Sequence, residues 1–208
     1  MPSLPSLFIS HGAPDLPIRT GPTQTFLKEL ASTIPIPRAI LIISAHWLTN
    51  EPSISTDKQP ETVYDFGGFT PELYQLNYPA PGEPALAKRV AELLAAADLP
   101  VQTRAKRGFD HGVWTPLILI YPTAKIPVVQ MSLQPSHGPD YQWRLGKLLA
   151  PLRSEGVLII GSGAATHNLS AFAGYTTPPP QWVTTFDDWL ATTIHNNDLA
   201  SLLDISKI

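Results

Sequence analysis

Ala39-Ile40-Leu41-Ile42-Ile43-Ser44-Ala45-His46-Trp47 is the stretch that decides the fold. Its first five residues are all apolar and three are β-branched isoleucines, so neither face of the segment suits water. A run of this kind is read as a strand over 39–45 buried on both sides, as in a parallel sheet covered by helices. At this length it cannot cross a bilayer. It ends in an imidazole.

Working outward, Leu4 to Ser10, Pro127 to Leu133 and Val157 to Gly161 have the same apolar character, and Pro100 to Arg104 adds a further strand. Helical patterns lie among them. Leu86, Val90, Leu93, Leu94 and Ala97 share one face of a helix, as do Tyr141, Leu145, Leu148, Leu149 and Leu152. Trp182, Phe186, Trp189 and Leu190 repeat the pattern near the end of the chain. Pro84 suits a first helical turn, where its missing N–H costs nothing. Strands alternating with helices predict an α/β fold: a central, mostly parallel sheet flanked by helices, with residues 1–208 forming one domain. Glu51 to Gly82, rich in Tyr, Phe, Pro and Gly and without a period, reads as a long excursion over one face. The 23 prolines fit shaped loops of this sort.

Composition narrows the function. A formal net charge of -3 without a basic cluster argues against nucleic-acid binding. With no cysteine, a metal must be held by nitrogen and oxygen, and cysteine nucleophiles are excluded. Residues 1–10 lack the basic and apolar regions of a signal peptide, so a soluble, cytoplasmic protein without membrane partners is expected.

The six histidines carry the chemistry through their placement. His11 follows the first strand, His46 the second, and His167 follows Val157–Gly161 through a turn. In an open parallel sheet, sites form in the crevice beyond the carboxyl ends of the strands. Three imidazoles delivered there make a site for Fe(II) or Zn(II). A lone histidine after a strand is more often a hydrogen-bonded structural residue, and it is the three together that weigh against this. His111, in Gly108-Phe109-Asp110-His111-Gly112-Val113-Trp114, has a neighbouring carboxylate that can orient it; the plainer alternative is a turn histidine in a surface loop. His137 reads as an exposed turn residue, and His195 as a helix-closing residue matched to the dipole. Tyr64-Asp65-Phe66-Gly67-Gly68-Phe69 is either aromatic packing around a tight turn or a wall for a flat ligand. Gly161-Ser162-Gly163 lacks the lysine and glycine spacing of a phosphate loop.

Taken in order, Phe8-Ile9-Ser10-His11-Gly12-Ala13-Pro14, Ile43-Ser44-Ala45-His46-Trp47, Tyr64 to Phe69, Tyr78-Pro79-Ala80-Pro81-Gly82, Asp110 to Leu117 and Gly161-Ser162-Gly163 with Thr166-His167-Asn168-Leu169 resemble the class III extradiol dioxygenases, in the 4,5-DOPA dioxygenase branch. The resemblance covers nearly the whole chain. It implies a metal-dependent enzyme that opens a catechol ring with O2, with a DOPA-like or other 4-substituted catechol as its small-molecule partner. It implies His11, His46 and His167 at the metal, and His111 and His167 as catalytic residues. Asp110, Phe66, Phe69 and Trp114 are the expected substrate contacts, with Tyr74 beside them. Fe(II) is expected for turnover, and Zn(II) can occupy the same ligands. The family pattern also includes a later Glu-His pair and Pro-Leu motif that supply a further metal ligand. No Glu-His pair followed by a Pro-Leu motif occurs in these 208 residues, so their ligand set is expected to be one short. The rival readings are a zinc-dependent hydrolase or amidase on the same scaffold and a non-catalytic remnant. A monomer or homodimer is expected.

Overall fold

A computed structural model describes residues 3–172, 174 and 177–204. Six strands form one sheet: β1 (Ser6–Ser10), β2 (Ala39–Leu48), β3 (Ser53–Ser55), β4 (Gln102–Arg104), β5 (Val128–Leu133) and β6 (Val157–Gly163). Their order is β1-β6-β2-β5-β3-β4. All pairings are parallel except β3 against β5. The expected α/β architecture is therefore present, and the apolar run at Ala39 forms a central strand, β2, between β6 and β5.

Alternation along the strands builds two cores. Ile40 and Ile42, with Val128, Leu158 and Ile160, pack toward α1 (Pro22–Leu30) and α3 (His111–Ile120). Ala39 and Leu41, with Val129, Met131 and Val157, pack toward α2 (Pro84–Ala95) and α4 (Gly138–Leu149). Both faces are dry, which is why these strands lack polar alternation. In α2 the predicted Leu86, Val90 and Leu94 are buried, with Ala87 beside them, whereas Leu93 is only half-buried and Ala97 lies exposed beyond the helix; Glu83 caps α2 through the Ala85 N–H at 3.3 Å. Further on come α5 (Gln181–His195), which His195 closes as expected, and α6 (Leu199–Leu203).

Three features depart from the sequence reading. The segment at His111 is a buried helix, α3, and not a surface loop: nine of its ten residues are buried. A helix that is apolar all round has no amphipathic period to detect, and Pro116 inside it obscures the pattern further. The excursion contains a short strand, β3, and a 3-10 turn over Pro71–Gln75. α1 was also missed; its stripe is short, with only Gln24 and Leu27 buried. Among the described residues no helix is long and apolar enough to cross a membrane.

The excursion is tied to α3 at its base. Phe109 N–H donates to the Glu61 carbonyl and Val63 N–H to the Phe109 carbonyl, both at 2.8 Å. Gly108 sits at this junction, where a Cβ would stand 2.6 Å from the Glu61 carbonyl oxygen and 2.5 Å from Val63 Cγ2. The backbone contact leaves no flexible atom to move aside. Gly108→Ala is expected to destabilise the fold by about 3 kcal/mol, the upper end for overpacking, read as a lower urea midpoint at unchanged m-value.

Candidate metal centre

Residues two apart on a strand share a face. Three α3-facing series run toward the carboxyl edge of the sheet: Ile40-Ile42-Ser44 on β2, Val128-Gln130 on β5 and Leu158-Ile160-Ser162 on β6. Where each leaves the apolar core it turns polar. His11 joins them one residue beyond β1, its N–H bonded to the Gly163 carbonyl at 3.0 Å. His46 lies in an irregular part of β2. From Ile43 to Leu48 the strand advances five residues while β5 advances two, from Met131 to Leu133. Such a bulge re-aims side chains at the rim of a site.

The rings meet. His11 Nε2 and His46 Nε2 lie 3.1 Å apart. Nitrogens bound at ~2.1 Å to one ion stand roughly 3.0–3.4 Å from each other in octahedral or tetrahedral geometry. The observed separation fits a shared cation. His111 completes the cluster: one ring nitrogen from each of the three histidines lies within 4.8 Å of the others. Its ring centroid is 5.3 Å from that of His11 but only 3.8 Å from that of His46. Two imidazoles radiating from one ion keep their centroids roughly 4.5 Å or more apart. The His11–His46 centroid distance, 5.1 Å, meets that requirement. His111 leans against His46 instead of diverging from it.

Hydrogen bonds fix which nitrogens are free. Asp65 Oδ1 accepts from both the backbone N–H and the Nδ1–H of His111, each at 2.9 Å. The His111 proton is therefore on Nδ1, and Nε2 is bare. Asp65 Oδ2 stands 3.8 Å from His46 Nδ1. Burial alone would push the Asp65 carboxyl up, but the His111 ring and backbone bonds more than offset it and hold the pKa at about 2. His11 is driven the other way, down to about 3, first by burial and then by the neighbouring His111 and His46. Burial also lowers His46, again with His111 beside it. Both rings thus stay neutral at ordinary pH, the form that binds a metal.

The structure differs from the sequence reading at several residues. His111 joins the ring cluster, whereas His167 lies outside it, exposed on the turn after β6. Asp110 is not a ligand-facing group. It is fully buried, accepting from Ser44 Oγ at 2.6 Å, Arg107 at 2.6 Å and Gln130 Nε2. Trp114 is likewise fully buried, its indole N–H donating to the Val63 carbonyl at 2.9 Å, so it anchors the excursion and lines no open surface. Phe66 and Phe69 stay partly exposed and in ring contact at 5.3 Å, with Phe66 edge-on to His111 at 5.6 Å and to one side of Tyr74 at 5.4 Å. His137 donates to the Asn50 carbonyl at 3.0 Å and stacks on Tyr141, a structural role. Sequence reasoning missed Asp65. The residue was visible among the aromatics, but its partner is 46 positions away.

Imidazoles gathered with a carboxylate at the open edge of a parallel sheet mark a metal-dependent enzyme of small molecules. Residues 6–208 match the catalytic LigB subunit of aromatic ring-opening dioxygenases, and the chain belongs to this family, a non-haem metal-dependent group of class III extradiol enzymes that act on aromatic rings with O2. It is 46% identical over 195 residues to the 4,5-DOPA dioxygenase extradiol of Beta vulgaris, covering 92% of this chain and 73% of that protein. It is 40% identical over 189 residues to the protein of the same name from Escherichia coli K12, covering 90% and 69%. A solved structure of the uncharacterized protein JW3007 from Escherichia coli K12 superposes with a TM-score of 0.75 at 36% identity, covering 91% of this chain and 72% of that one.

Holding His11 neutral has a measurable cost in acid. The unfolded chain binds a proton near pH 6.5, whereas folded His11 does so only near 3. The unfolded state therefore carries more protons across that window, and stability falls as pH drops through it. Between pH 6.5 and 5, metal-free protein should lose roughly 1.5 kcal/mol through this one group. In His11→Gln, thermal melts should show a correspondingly shallower decline; an equal slope would contradict the assignment.

Proposed function

We propose that this protein opens the ring of a 4-substituted catechol such as DOPA, beside its paired hydroxyls, using Fe(II) held by His11 and His46, with residues 1–208 as one catalytic domain. The observation that carries this reading is the 3.1 Å approach of two neutral ring nitrogens next to a third imidazole clamped by a carboxylate. Bound Fe(II) supplies the redox chemistry between catechol and O2, which Zn(II), fixed in one oxidation state, does not.

The chain's own residues handle the protons and the ring. His111 has a bare Nε2 on the side of the cluster, and its Nδ1–H is held by Asp65. It is the general base that takes a phenolic proton, and the Asp65 carboxylate stabilises the imidazolium formed. Asp65 stays ionised throughout, because its pKa of about 2 lies far below working pH. His167, exposed and near enough for its charge to reach His11 and His46, is the second proton-handling group. Phe66 and Phe69, their rings crossed at 82°, offer an apolar surface beside His111 suited to an aromatic ring. Asp110, Ser44 and Gln130 form the rigid floor.

The test is anaerobic loading with Fe(II), addition of a 4-substituted catechol, and measurement of oxygen uptake and the yellow ring-opened product. His11→Ala and His46→Ala should lose both metal and turnover. His111→Gln should keep the metal and lose about 10²–10⁴-fold in kcat. Asp65→Asn should act on kcat in the same direction with little change in bound metal. Iron-loaded protein that consumes no oxygen would end this reading, and loss of metal from His111→Gln would move His111 into the ligand set.

A further inference from the structure

The feature that the proposed chemistry leaves unexplained is a proline in the middle of a buried helix. In an α-helix the N–H of one residue bonds the carbonyl four positions earlier. Pro116 has no N–H, so the Gly112 carbonyl lacks its helical partner. That carbonyl is not left alone: Ser162 Oγ lies 2.5 Å from it, reaching across from β6. A carbonyl oxygen can only accept, and a serine hydroxyl has one proton to give. The Ser162 proton is thus committed to Gly112. Ser162 Oγ also lies 2.9 Å from His11 Nδ1. With its only proton spent, the hydroxyl can meet that nitrogen only as an acceptor.

We infer that Ser162 is a positioning residue for the metal site: relayed from the carbonyl freed by Pro116, it holds the His11 proton on Nδ1 and leaves Nε2 bare toward His46. His11 and Ser162 are both buried, at 3% exposure each, so no water competes for these bonds. Gly112 is part of the device. A Cβ there would lie 2.3 Å from Ser44 Oγ and 3.1 Å from His46 Cδ2, so only glycine lets α3 come close enough for its carbonyl to reach Ser162. Asp65 does for His111 what the Ser162–Gly112 pair does for His11, from the opposite element. In the metal-free state the single proton between the facing nitrogens belongs to His46 Nε2, since His46 Nδ1, 3.8 Å from Asp65 Oδ2, is beyond hydrogen-bond reach of that carboxylate. The inference rests on His11 being a metal ligand, and ligand histidines whose second nitrogen loses its partner typically bind metal about 10–100-fold more weakly.

Two measurements test it. Long-range ¹H–¹⁵N spectra of metal-free, ¹⁵N-labelled protein report the tautomer of each histidine. Wild type should show His11 protonated at Nδ1, and Ser162→Ala should show a mixture or the Nε2–H form. A wild-type His11 protonated at Nε2, or a Ser162→Ala spectrum unchanged at His11, would overturn the proposal. Zn(II) competition against a chromophoric chelator gives the second readout, with affinity falling about 10–100-fold in Ser162→Ala and by less in Pro116→Ala, where a restored N–H competes for the Gly112 carbonyl. Equal affinity in wild type and Ser162→Ala would count against the inference. Wild type that binds no Zn(II) would instead overturn the metal assignment, and the tautomer spectra would still decide the role of Ser162. Far-UV circular dichroism establishes that each variant is folded.

Discussion

Two ring nitrogens held 3.1 Å apart need something positive between them, a proton in the metal-free state or a cation in its place, and the site is arranged around that contact. Burial keeps the rings neutral, so neither carries a second proton near neutral pH. Fixed acceptors hold the remaining protons on the far nitrogens of His11 and His111. Displacing the one proton between His11 and His46 leaves a set of lone pairs facing a common space. A divalent cation takes that proton's place, and the cost of assembling such a cluster is met by the rest of the fold.

The helix α3 is the brace. It lies on the sheet face where the β2, β5 and β6 series turn polar, and it presents its first residue, His111, to the rings of His11 and His46. One position earlier, Asp110 sits in the floor. A buried carboxylate is costly unless its lone pairs are filled; here Ser44, Gln130 and Arg107 do so from β2, β5 and the segment before α3. Arg107 in turn lies over the Trp47 ring at 5.0 Å. The floor thus locks three elements to one another just below the ligands, so that the rings above have little freedom to separate. The aromatic excursion closes the remaining side, pinned by the Trp114 indole to Val63 and by the Asp65 carboxylate to His111.

Sequence reading succeeded where a local pattern has one physical meaning. Five apolar residues in a row before His46 require two covered faces, and imidazoles placed after strands require the carboxyl edge of the sheet. His11 and His46 were legible for that reason, as were the stripes of α2 and α4. It failed where the meaning depends on contacts across the chain. Asp110 stands next to His111 in sequence and looked like its orienting acid, yet the two side chains diverge, and the acid that bonds His111 is Asp65. Trp114 looked like a substrate contact because aromatic residues line pockets; its neighbours bury it completely.

The sequence by itself determined the α/β sheet, its two apolar faces, the edge at which chemistry occurs and the nitrogen/oxygen character of any metal ligands, because each follows from hydrophobic periodicity or from residue type. Tertiary structure alone decided which acid serves which histidine, which nitrogen of each ring is free, and that a buried helix with an internal proline holds the site together. Those outcomes depend on hydrogen bonds between residues 46 to 151 positions apart, whose directions exist only once the chain has packed.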